Sequence, residues 1–84
     1  MRFIQTRELG FRNLETLTDL YLLENKDIES DLFRYCVCAC FSDCPSYIAI
    51  ISKYYSSEEE AKQKLYDIVE KVCGDDKILL YGEY

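Results

Sequence analysis

The stretch Tyr35-Cys36-Val37-Cys38-Ala39-Cys40-Phe41 limits the possible folds of this chain more than any other. Along a β-strand, successive side chains point to opposite faces. Tyr35, Val37, Ala39 and Phe41 therefore share one face, and Cys36, Cys38 and Cys40 share the other. Such alternation reads as a strand, here running from Leu32 to Phe41. A second run, Tyr47 to Tyr55, contains Ile48-Ala49-Ile50-Ile51 and reads as its partner. Only the turn-forming link Asp43-Cys44-Pro45-Ser46 separates the two, so they are expected to close into an antiparallel hairpin.

Beyond this hairpin the apolar period changes from two residues to 3.6. Ala61, Leu65, Ile68 and Val72 recur at i, i+4, i+7 and i+11, which predicts an amphipathic helix from Glu58 to about Cys73. Ser57 followed three residues later by Glu60 has the form of a capping box. Glu58, Glu59 and Glu60 place negative charge at the positive end of the helix dipole. Gly74 stands where a left-handed C-cap is wanted. Met1 to Thr6 reads as an N-terminal strand and Lys77 to Tyr81 as a short strand after the helix.

The segment Phe11 to Glu24 fits two readings. Leu14, Leu17 and Tyr21 form a helical stripe with Asn13 as its cap, whereas Leu20 to Leu23 suits a strand buried on both faces. Lys26 to Asp31 is a polar, acid-rich loop. No repeat or linker divides the sequence, so residues 1–84 are expected to form one α+β domain. At 84 residues, folding buries only roughly 60–65% of the surface that the unfolded chain exposes.

Five cysteines, Cys36, Cys38, Cys40, Cys44 and Cys73, occur without a single histidine. Same-face neighbours on a strand stand about 6.5–7 Å apart, at or past the reach of a disulfide. Three thiols spread over roughly 13 Å cannot share one metal ion. Cys40 and Cys44 bracket the turn and are close enough in sequence to approach each other. An odd count without a secretory signal favours reduced thiols. The expectation is that the cysteines pack as small hydrophobes, with no metal and no cofactor.

Sixteen acids against ten bases give a net charge of −6. That disfavours direct binding of nucleic acid, whose affinity comes from Lys and Arg releasing counterions, and it disfavours anionic membranes too. The start, Met1-Arg2-Phe3-Ile4-Gln5-Thr6-Arg7, lacks the apolar core of a signal peptide. The longest uncharged stretch, Cys44 to Ser52, is far shorter than the roughly 20 residues of a spanning helix. A cytoplasmic protein is expected. The three glycines, Gly10, Gly74 and Gly82, form no phosphate-cradling loop. Without histidine the usual general base and the triads are missing, so the chain does not read as an enzyme.

Several segments resemble a family of short proteins common in phages and Gram-positive bacteria. Asn13-Leu14-Glu15-Thr16-Leu17 is similar to its INLDNI-like turn, and Tyr35, Val37 and Ala39 to its Tyr-x-Val-x-Ala strand. Tyr55-Ser56-Ser57-Glu58-Glu59-Glu60-Ala61 is similar to its Y-x-S-E-E-E-A helix start. The resemblance implies that Phe11 to Glu24 is a turn followed by a strand from Thr18 to Glu24. It implies an antiparallel β-meander of 4–5 strands with one C-terminal amphipathic helix packed on one face. It also implies a protein that binds and disables a host protein or complex. The thiol-bearing strand and the tail Asp75 to Tyr84 depart from the pattern.

One helix covers one face of a sheet. The Cys36, Cys38 and Cys40 face is therefore expected to meet something else, either a second copy in a homodimer or a target protein. Exposed acids and tyrosines are the other candidate contacts: Asp27, Glu29 and Asp31 in the loop, and Asp75, Asp76, Tyr81, Glu83 and Tyr84 in the tail. The leading expectation is a small acidic inhibitor of a host protein, such as an anti-CRISPR or other anti-defence factor. The alternatives are a binder or sponge for nucleotide second messengers, which needs Arg and Lys gathered around phosphate, and a structural or assembly module.

Overall fold

A computed structural model describes residues 1–25 and 34–84. Its elements are β1 (Phe3–Gln5), β2 (Phe11–Asn13), a 3-10 turn (Leu14–Thr16), β3 (Leu17–Glu24), β4 (Tyr35–Phe41), β5 (Cys44–Ile50), α1 (Glu58–Val72) and β6 (Ile78–Leu79). The α+β class is as expected, but the single meander is not. Among the described residues six strands divide between two three-stranded sheets, ordered β2-β1-β6 and β3-β4-β5. Only the second is a meander, antiparallel throughout. In the first, β1 lies antiparallel to β2 and parallel to β6.

The reason for the split lies in the segment that fitted two readings. Asn13 ends β2, and its side chain accepts a hydrogen bond from the Glu15 N–H at 2.9 Å. The Thr16 hydroxyl returns to the Asn13 carbonyl at 2.8 Å. These local bonds hold one 3-10 turn and redirect the chain into β3, instead of propagating a helix. Phe11 to Glu24 is therefore strand, turn and strand.

The second sheet follows the alternation of β4, with a different turn. Phe41 pairs with Cys44, so Ser42 and Asp43 alone make the hairpin turn, and Cys44, Pro45 and Ser46 already belong to β5. The register shifts between Cys40, opposite Ile48, and Phe41. This irregularity lies on an edge strand, where a missing proline N–H is tolerated. Beyond Ile50 the Ser52 hydroxyl accepts the Val37 N–H at 2.8 Å in place of a ladder carbonyl. Tyr55 then rejoins β4 by a bridge to Tyr35.

The helical stripe behaves as predicted: Ala61 and Ile68 are fully buried, and Leu65 and Val72 pack against the same core. That core joins Val37, Ala39 and Phe41 of β4 to Ile4 of β1, Ile68 of α1 and Leu79 of β6. The helix ends differ from expectation. Ser57 occupies the N-cap position, but its side chain makes no capping hydrogen bond. Gly74 is not left-handed; among the described residues only Gly82 and Leu9 have positive φ, +88° and +67°. Instead Arg2 closes the helix. Its Nη1 donates to the Val72 carbonyl at 2.6 Å, Nη2 to Lys71 at 3.3 Å and Nε to Asp76 at 2.8 Å. A guanidinium at this end also answers the negative pole of the dipole.

Arg2→Ala should therefore lower stability by about 1–2 kcal/mol, read as a shift of the urea midpoint. Arg2→Lys should recover only part of it, because an ammonium cannot fork to separate carbonyls. An unchanged midpoint in Arg2→Ala would show that this side chain does not hold the helix end.

Candidate functional site

The thiol face of β4 is largely closed within one copy. Cys36 and Cys38 are wholly buried, and only Cys40 keeps partial exposure. Cross-strand neighbours on this face are Leu23 beside Cys36, Tyr21 and Ile50 beside Cys38, and Asp19 and Ile48 beside Cys40. Arg7 and Tyr54 also act electrostatically on Cys36. The surface left for a second copy or a partner on this face is the half-buried Tyr21, Leu23, Cys40 and Ile50 and the exposed Asp19 and Ile48. The expected Cys36/Cys38/Cys40 docking face is thus narrower than strand alternation implied, because side chains outside the hairpin contribute to its cover.

The thiols are also closer than backbone spacing predicts. Cys36 Sγ and Cys38 Sγ lie 3.8 Å apart. The hydrogen bond from Cys38 lowers the Cys36 thiol below its ordinary range despite burial, with help from Arg7 and Tyr54. The same bond, with burial, pushes Cys38 up. The Cys40 thiol donates to the Tyr21 oxygen at 4.0 Å. Burial is the main cause that pushes Tyr21 up to about 12. Cys44 stands across from Phe41, so the hairpin does not bring it opposite Cys40, and all five cysteines are free thiols.

The acidic candidates divide. Asp27, Glu29 and Asp31 lie outside the described residues. Asp75, Asp76 and Glu83 are exposed. The tail that carries them is not frayed. Tyr84 is only 4% exposed, and its hydroxyl donates to the Gln5 carbonyl at 2.6 Å. The Lys64 ammonium bonds the Tyr84 carbonyl, and the Tyr81 ring meets Tyr84 edge-on at 6.4 Å. The Tyr81 N–H donates to the Gln5 side chain at 3.2 Å. Tyr84 is thus a core residue and Tyr81 half buried against it, not the exposed contacts expected.

Two features escaped the sequence. The first is a groove of about 290 Å³ lined by Phe3, Phe11 and Ile78 alone. Phe3 and Ile78 are register partners, as are Gln5 and Phe11, so these side chains share the outer face of the first sheet. Phe11 and Ile78 are 52% and 57% exposed. The available signal was Phe3-Ile4, a strand apolar on both faces; the pairing of β1 with β6, distant in sequence, left no local mark. The second is a cavity of about 290 Å³ between the Thr6–Glu8 segment and Tyr47, Ile48 and Ile50 of β5. Tyr47 donates to the Glu8 carboxylate at 3.2 Å. The Arg12 guanidinium stacks on Tyr47 at 4.7 Å, and Arg7 on Tyr54 at 4.9 Å.

No family model, curated protein or solved structure matches this chain. Among the described residues no helix is long and apolar enough to cross a membrane.

Two outcomes follow. Alkylation of the native, reduced protein should modify exposed Cys73 and spare Cys36 and Cys38 until denaturant is added, read by peptide mass mapping. Rapid native labelling of Cys36 would mean that the thiol face is open. Tyr21, Tyr54, Tyr55 and Tyr84 are all shifted up, each chiefly by burial. The unfolded chain releases these protons near the ordinary value of about 10, before the folded one does. Stability should be intact below that value and fall as pH rises toward about 12. Urea midpoints at pH about 9 and about 11 read this, and equal midpoints would contradict it.

Proposed function

We propose that this chain is a small acidic binding protein, and that it inhibits a host protein by docking the outer face of its first sheet. One observation carries the reading: the Phe3, Phe11 and Ile78 groove is apolar and exposed, and unpartnered among the described residues. Exposed apolar patches commonly mark interaction sites. Asp75 and Asp76 precede β6, with Lys77 between, and Glu83 lies beyond it; the three acids are exposed. The partner that suits this surface presents an apolar projection bordered by basic side chains. The resemblance to short phage proteins points the same way, toward an anti-CRISPR or other anti-defence factor acting in the host cytoplasm. Non-enzymatic action agrees with a sequence that holds no histidine.

A second reading rests on the cavity beside β5. Arg7 and Arg12, scattered in sequence, come to its wall and its flank, each stacked on a tyrosine. That gathering favours a small anionic ligand such as a nucleotide second messenger. The Glu8 carboxylate in the same wall repels phosphate, which ranks this reading second.

A tagged pull-down from host lysate, read by mass spectrometry, tests the first reading when wild type and Phe11→Glu are compared. The expected result is a specific partner captured by wild type, lost at least about tenfold in the variant and weakened by salt. Capture indifferent to Phe11→Glu would reject the docking face. Calorimetric binding of a cyclic dinucleotide, abolished in Arg7→Ala, would instead promote the second reading.

A further inference from the structure

We propose that Cys36 and Cys38 form a two-coordinate thiolate site for a soft monovalent metal ion of the copper(I) class. The two side chains leave the same face of β4, and their sulfurs lie 3.8 Å apart. With a metal–thiolate bond of about 2.3 Å, one ion between them makes an S–metal–S angle of about 110°. The angle opens toward linear if the sulfurs separate by less than about an ångström. No backbone movement is required, since side-chain rotation alone changes this distance.

The surroundings select the kind of ion. Thiolates prefer soft metals, copper(I) among them. Among the described residues no group of three or more His, Cys, Asp and Glu side chains is placed to hold an ion. Zinc completes four ligands in a structural site and finds only two here. Binding replaces two S–H bonds by two S–metal bonds and releases both protons to solvent. The resulting bis-thiolate carries one negative charge, and Arg7 stands close enough to Cys36 to offset it electrostatically. Both cysteines are wholly buried, so a bound ion is shielded from water and oxidant.

The test is an anaerobic titration of the reduced full chain with copper(I) against a chromophoric copper(I) chelator. The expected result is one tightly held equivalent. Cys36→Ser and Cys38→Ser should each weaken it by more than the roughly 10–100-fold that loss of an outer-shell partner costs. Cys73→Ser should leave it unchanged. X-ray absorption on the loaded wild type needs no variant to fold and should show two sulfur neighbours. Failure to compete with the chelator, uptake that survives Cys36→Ser and Cys38→Ser, or a coordination shell of nitrogen and oxygen would each overturn the proposal.

Discussion

Arg2 sits where β1 meets the end of α1, and the carbonyls of Val72, Lys71 and Asp76 all accept from its guanidinium. One residue further, the Phe3 N–H donates to the Lys77 carbonyl at 2.8 Å, which starts the parallel pairing of β1 with β6. The helix end, the chain that leaves it and the N-terminal strand are thereby fixed together. Remaining unsatisfied, those last carbonyls would oppose burial of the helix end. The latch is extended by the Tyr84 hydroxyl on the Gln5 carbonyl and by both polar ends of the Gln5 side chain, which bond Leu9 and Tyr81. β1 is thus the centre of its sheet and the element through which both ends of the described fold meet.

That arrangement decides where apolar surface is left over. Strand alternation alone points to the thiol side of β4 as the uncovered face. In the fold, Cys36 and Cys38 are buried, and the inner face of the first sheet contributes Ile4 and Leu79 to the core shared with α1. The cost of adding this second layer is a new outer face. A strand of Phe3, Ile4 and Gln5 that turns Ile4 inward must turn Phe3 outward, beside Ile78. The surplus apolar area moves from one sheet to the other, and the proposed docking surface moves with it.

Local periodicity was legible in the sequence, and contacts between distant segments were not. Ala61, Leu65, Ile68 and Val72 announced both the helix and its buried stripe, and Tyr35 to Phe41 announced a strand with two distinct faces. The C-cap was misread because Gly74 is a nearby and familiar stop, whereas the group that acts there lies 70 residues away. The 3-10 turn was half legible: Asn13 does cap, but one turn, since Leu17 to Glu24 pairs with β4. Of the contact candidates, Asp75, Asp76 and Glu83 stand exposed as expected, while Tyr84 went inward because the tail pairs with β1. The Cys36–Cys38 approach was missed because strand spacing measures backbones, and side-chain rotation brought the sulfurs to 3.8 Å.

The pairing of β1 with β6 underlies the account of the docking face, since it brings Ile4 and Leu79 to the core and sets Phe3 beside Ile78 on the outer face. Native-state hydrogen exchange resolved by residue measures it directly. The Phe3 amide, bonded to Lys77, and the Leu14 amide, bonded to Arg2 at 2.8 Å, should exchange on the slow timescale of the β4 amides. Exchange of the Phe3 amide at the rate of an open chain while β4 stays protected would contradict the account.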